Sequence, residues 1–126
     1  MKSNADKLDL VIKEYSGSLG IKIDDMNSKD AAEIMFPENI NALNAIRDIF
    51  DEFGIILKED LDKRIYIAVI KVGMFDANEA ITIALIDQHK CLIAAYAKEG
   101  LIKQSISKRA IEKIKDASCR YTNLEI

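Results

Sequence analysis

Histidine is almost missing from this chain: His89 is the only one in 126 residues, which also hold just two cysteines, Cys91 and Cys119. A structural zinc site normally takes four ligands at recognisable spacings. The chain has no second histidine, no CxxC and no HExxH. Two cysteines are also too few for a disulfide scaffold in a short chain, so both are expected to be reduced. Long apolar runs are absent as well. None reaches the roughly 18 residues of a membrane span, and the opening "MKSNADKLDL" is polar where a signal peptide needs an apolar segment. A cytoplasmic protein without a membrane span is expected. The glycines of "SGSLG" (16–20) precede no Gly-Lys-Ser/Thr, which excludes a phosphate-binding loop.

What is present is a chain that can bury a core. With 49% hydrophobic and 31% charged residues it has the size and balance of a single domain spanning 1–126. The net charge of −3 hides an asymmetry, because residues 1–62 carry 7 basic against 14 acidic side chains and residues 63–126 carry 11 against 7. A surplus of four positive charges falls short of the clustered basic stripe of a nucleic-acid binder. No nucleic-acid partner and no cofactor are expected.

Periodicity places the elements. Residues 3–15 read as an amphipathic helix that Ser3 can cap, with Leu8, Val11, Ile12 and Tyr15 at helical spacing before Gly17. Leu19, Ile21 and Ile23 alternate, "DDMNSKD" is turn-like and "AEIMF" can return, so residues 17–36 are expected to form a hairpin. After Pro37, a second helix runs over 39–53 with Asn39 as its cap and Gly54 as a left-handed stop. Three β-branched runs follow: "RIYIAVIKV" (64–72), "AITIALID" (80–87) and "KCLIAAYA" (90–97). A last helix, "SISKRAIEKIKDAS" (105–118), closes the chain. The order is α-β-β-α-β-β-β-α, an α+β fold with an antiparallel sheet flanked by helices. An all-α fold stays open, since Leu61, Ile65, Ala68 and Val72 also fit one helix face.

Candidate chemistry is thin. "DQHKC" sets Asp87, His89 and Cys91 at alternate positions, as three metal-ligand types would stand along a strand, but it lies at a hairpin tip that breaks the alternation and offers no fourth ligand. A Cys–His catalytic pair at i and i+2 would stand roughly 7 Å apart, beyond hydrogen-bonding reach. "DDMNSKDAAE" fails as a calcium loop: Lys29, Asp30 and Phe36 would fall at the fifth ligand position, the invariant glycine and the bidentate glutamate. Asp48, Asp51 and Glu52 read as the solvated face of the second helix, and Lys108, Arg109, Lys113 and Lys115 as spread around the last. No catalytic, cofactor-binding or metal-ligating residue is assigned, and the chain reads as non-enzymatic.

The second helix is the most informative element. Leu43, Ala45, Ile46, Ile49, Phe50 and Phe53 cover an arc of roughly 160° at 100° per residue, with Ile40 further round, against the roughly 100° stripe of a one-sided helix. Burial on two sides is expected, one side being the sheet and the other a partner. The element order, with "AIRDIFDEFG" leading into a β-rich second half, resembles the roadblock/LC7 family of small scaffold domains. "AITIALIDQHKCLIAAYAKEG" followed by "SISKRAIEKIKDA" is similar to that family's last two strands and closing helix, and the likeness covers residues 39–118. The resemblance implies a homodimer formed through the central helix and the adjoining strand 64–72. Its interface residues would be Ile40, Leu43, Ile46, Ile49, Phe50, Phe53, Tyr66 and Ala68. Such a dimer would be a platform for protein partners such as a small GTPase or a motor-complex subunit. Two other classes stay open: a small immunity protein or secretion chaperone that neutralises a protein partner, and a regulator with a DNA-binding helix-turn-helix in "AKEGLIKQSISKRAIEKI".

Overall fold

The computed structural model describes residues 4–101 and 104–122. Ser3, expected to cap the first helix, lies outside the described residues, as do Ile102 and Lys103 of the helix-turn-helix stretch. In chain order the elements are α1 (Asn4–Leu19), β1 (Ser28–Met35), α2 (Ala42–Phe53), β2 (Gly54–Asp60), β3 (Ile65–Val72), β4 (Asn78–Asp87), β5 (Lys90–Ala97) and α3 (Ile106–Thr122). Single 3-10 turns stand at Ile23–Asp25 and Met74–Asp76. The five strands form one antiparallel sheet in the order β1-β5-β4-β3-β2. The α+β class is as expected, and the all-α alternative is excluded.

Each face of the sheet carries its own core. Leu8 and Ile12 of α1 pack with Ile65, Ile67, Ile83, Leu92, Ala94 and Tyr96 on one face. On the other face, α2 and α3 lie side by side and pack against the even residues of β3 and β4 and the odd residues of β5, from Tyr66 and Ala68 to Ala95 and Ala97. Strands covered on both faces have no polar side to display, which is why β3, β4 and β5 read as near-continuous apolar runs.

The element order departs from expectation before β3. The hairpin expected in residues 17–36 is a single strand, because α1 continues through Gly17 to Leu19 and extends the stripe of Leu8, Ile12 and Tyr15. The helix stops where Gly20 takes a left-handed φ of 71°. The amide of Ile21 then bonds the carbonyl of Ser16 at 2.9 Å and that of Gly20 bonds Gly17 at 3.4 Å, the hydrogen bonds of a Schellman motif. Residues 21–27 cross to the sheet as coil and one 3-10 turn, and "AEIMF" falls at the end of β1.

At α2 the cap is Asn41 and not Asn39: its side chain accepts from the Asn44 amide at 3.1 Å. Gly54 is not a left-handed stop either. Its backbone is extended at φ −174°, and the chain passes directly into β2, a strand with no counterpart in the expected order. Glycine is required there by proximity, since a Cβ on Gly54 would lie 1.7 Å from the Val69 carbonyl oxygen.

Candidate functional site

The "DQHKC" residues are separated by the turn expected there. β4 ends at Asp87, Gln88 and His89 form the turn, and β5 begins at Lys90. Cys91 is fully buried and burial pushes its thiol up, away from the reactive thiolate. Among the described residues no group of three or more His, Cys, Asp or Glu side chains is placed to hold a metal ion. His89 lines a hollow of about 520 Å³ with Asn39, Asn41 and Arg64. Its Nδ1 is buried without a hydrogen-bond partner among the described residues.

The other polar candidates are tied into the fold. The Asn27 amide donates to the Glu99 carbonyl at 2.9 Å and accepts from its N–H at 2.7 Å, locking the entry to β1 against the exit of β5. Glu99 in turn accepts from the amides of Gln104 and Ile106 at the start of α3. Glu52 holds Arg120 through both carboxylate oxygens, at 3.0 and 3.2 Å. Lys113 donates to the Lys71 carbonyl at 2.8 Å and lies over the Phe53 ring at 4.7 Å.

A constellation not evident in the sequence joins α1 to the sheet. The Asp9 carboxylate accepts from the Tyr96 hydroxyl and from Lys29 Nζ, beside a hollow of about 370 Å³. Burial raises the Asp9 carboxyl, but hydrogen bonds from Lys29 and Tyr96 outweigh it and leave the group below its ordinary value. Burial and the contact with Asp9 push the Tyr96 phenol up, so it stays protonated. Each polar group here already has a partner, and the cluster works as a clamp on α1 rather than as an acid–base site.

The residues expected at an interface divide by depth. Ile46, Ile49, Phe50, Tyr66 and Ala68 are buried inside this one chain, while Ile40, Leu43 and Phe53 pack at the margin of the same core. The sheet covers one side of the wide apolar arc of α2 and α3 covers the other. The width of the arc therefore does not by itself require a second chain. Strand 64–72, expected at the sheet edge, is the internal strand β3, hydrogen-bonded to β2 on one side and β4 on the other.

The edges are β1 and β2, and they differ in chemistry. β1 carries Lys29, Asp30 and Glu33 along "SKDAAEIM", the charged blunting common on exposed strand edges. β2 begins "GIIL" without a charge, and Ile55 and Leu57 stand 57% and 37% exposed. A bulge between Ile56 and Lys58 pushes Leu57 out of the ladder, and only the half beyond it, Lys58–Asp60, is charged. Asp51, Ile55, Leu57 and Glu59 border a shallow hollow of about 620 Å³ along this edge. The far end of β2 is fastened to α1, where the Tyr15 hydroxyl donates to Asp60 at 2.5 Å. That bond holds the Asp60 carboxyl below its ordinary value and pushes the Tyr15 phenol up to about 12.

The apolar run Ile55-Ile56-Leu57 was the available signal for this edge, hidden because Gly54 reads as a helix stop. Among the described residues no helix is long and apolar enough to cross a membrane. No family model, curated protein or solved structure matches the chain.

Proposed function

We propose that this chain is a non-enzymatic, cytoplasmic scaffold or regulatory platform that acts as a homodimer joined edge to edge through β2. The observation that carries the reading is the uncharged first half of β2, an unpaired strand edge with Ile55 and Leu57 exposed. Such an edge offers free N–H and C=O groups to another strand. A copy of the same strand suits it. With a two-fold axis through Ile56, perpendicular to the sheet, Ile55 of each copy stands opposite the partner's Leu57 and the sheets of the two copies become continuous. α2, which lies over β2 and β3, then flanks the seam with Leu43 and Phe53 at its margins. A stable seam of this kind buries on the order of 1,200–2,000 Å² in total.

The resemblance to roadblock domains supplies the use of such a dimer, a platform for a protein partner such as a small GTPase or a motor-complex subunit. Sedimentation of the protein over a dilution series tests the reading. A dimer at about 50 µM that dissociates on dilution is expected, this concentration lying well above a micromolar dissociation constant. A monomer there would sink the homodimer and leave β2 as an edge for an extended segment of another protein, the way an immunity protein or a chaperone would use it.

A further inference from the structure

Two neighbouring apolar side chains on one turn are left uncovered by the described residues. Phe75 is 94% exposed and Met74 78% exposed, both on the 3-10 turn between β3 and β4. The turn is a fixed projection, closed by Asp76 N–H to the Gly73 carbonyl and Ala77 N–H to the Met74 carbonyl, each at 3.2 Å. Lys113 braces its base from α3 through the Lys71 carbonyl. Phe75 and Asp76 take left-handed φ values of 56° and 55°, a region that costs side-chain-bearing residues free energy. At the opposite end of β2, Leu61 is 59% exposed on a turn held by the Arg64 amide bonding the Leu61 carbonyl at 3.3 Å.

We propose that in the homodimer the Met74–Phe75 turn of each copy clasps the β2–β3 turn of the other by packing on the partner's Leu61. This rests on the β2 seam described above, and the ladder supplies the register. On β3, Ile56 lies opposite Ala68, Ile55 opposite Val69 and Gly54 opposite Ile70, and along β2 Leu61 stands five residues beyond Ile56. The two-fold axis that sets Ile55 opposite the partner's Leu57 carries the partner's Leu61 five positions the other way, level with Gly73, which leads into the Met74–Phe75 turn. The lateral gap is two strand spacings, about 10 Å, which a phenylalanine and a leucine reaching toward each other can close. Asp76 and Glu79 are exposed beside the tip, which argues against an anionic lipid surface as its occupant.

Analytical ultracentrifugation over a dilution series tests the clasp with the parent, the Met74→Ser/Phe75→Ser double variant, Leu61→Ser and the triple variant. All three positions are exposed, and circular dichroism verifies that each variant is folded. The turn variant and Leu61→Ser should each raise the dimer dissociation constant about tenfold or more, as truncating a hot spot does. The triple variant should add little to either, because the two changes remove the same contact. A parent dimer whose dissociation constant is unmoved by the turn substitutions overturns the clasp and leaves the β2 seam intact. A dimer that survives Ile55→Asp overturns the seam and the clasp together. Co-sedimentation of the Ile55→Asp monomer with vesicles of anionic lipid, lost when Met74 and Phe75 are also replaced by Ser, would assign the tip to lipid instead and overturn the clasp.

Discussion

Replacing Ile55 by Asp separates folding from association. In the isolated chain Ile55 is 57% exposed, so the substitution removes little burial and costs about 1 kcal/mol at most, mainly through β-propensity. At the proposed seam the same carboxylate faces the partner's Leu57, with no cation opposite it, and the two-fold axis repeats the arrangement. An unpaired charge buried at an interface costs about 3 kcal/mol, so the dimer would lose about 6 kcal/mol. At 1.4 kcal/mol per decade this weakens association by about four decades, carrying a micromolar dissociation constant to roughly 10 mM. Light scattering at about 50 µM, far above the parent's constant and far below the variant's, should show a dimer for the parent and a monomer for Ile55→Asp. Urea unfolding midpoints of the two proteins, compared at a concentration where both are monomeric, should lie close together. A variant that scatters as the parent does would refute the seam. One that unfolds far more readily as a monomer would show that Ile55 serves the fold instead.

Phe50 is fully buried in the chain's own core, so Phe50→Ala should cost about 3–5 kcal/mol in a denaturant titration whatever the oligomeric state. An effect confined to association would contradict that placement. Gly54→Ala brings a Cβ to within 1.7 Å of the Val69 carbonyl oxygen and should destabilise by about 1–3 kcal/mol through forced backbone displacement; an unchanged melting temperature would refute the close approach. The Tyr15 phenol is raised to about 12 by its bond to Asp60, above the ordinary tyrosine value of about 10. The bond's contribution is therefore complete below pH about 10 and is lost as pH rises toward 12. Tyr15→Phe should lose stability less steeply than the parent over that window, and parallel slopes would refute the contact. Replacing His89 and Cys91 together by Ala should change stability by about 1 kcal/mol or less and leave the dimer unaltered; stoichiometric zinc in the parent, absent from the variant, would overturn their reading as a turn residue and a core thiol.

The second half of the chain was legible because its strands are apolar throughout and separated by polar turns. β5 spans the expected residues and β3 and β4 differ from expectation by at most two residues at either end. The first half misled for identifiable reasons. Leu19, Ile21 and Ile23 alternate as a strand would, yet Leu19 closes the helical stripe of α1, and the left-handed break comes at Gly20 rather than Gly17. Gly54 follows an amphipathic helix where a stop is common, so the strand behind it went unread. Periodicity showed that α2 is apolar on more than one side, but it cannot say what fills each side, and α3 arrives only after the whole sheet has been laid down. The two edge strands became distinguishable only once the strand order was known, since the charges of "SKDAAEIM" and the apolar start of "GIILKED" acquire meaning only when each strand is seen to lack a neighbour on one side.

The middle strand, β4, is buried on both faces, and this changes what fixes its register. In a half-exposed strand a one-residue slip is penalised because polar side chains enter the core. β4 has no such safeguard over residues 80–85, where both faces are almost wholly apolar, before Ile86 closes the α2/α3 face. It alternates in volume instead. Ala80, Thr82 and Ala84 point toward α2 and α3, while Ile81, Ile83 and Leu85 point toward α1. A slip by one would drive three large side chains beneath the paired helices and leave three small ones beneath α1, overfilling one layer while hollowing the other. Steric size, rather than polarity, is what holds the centre of this sheet in place.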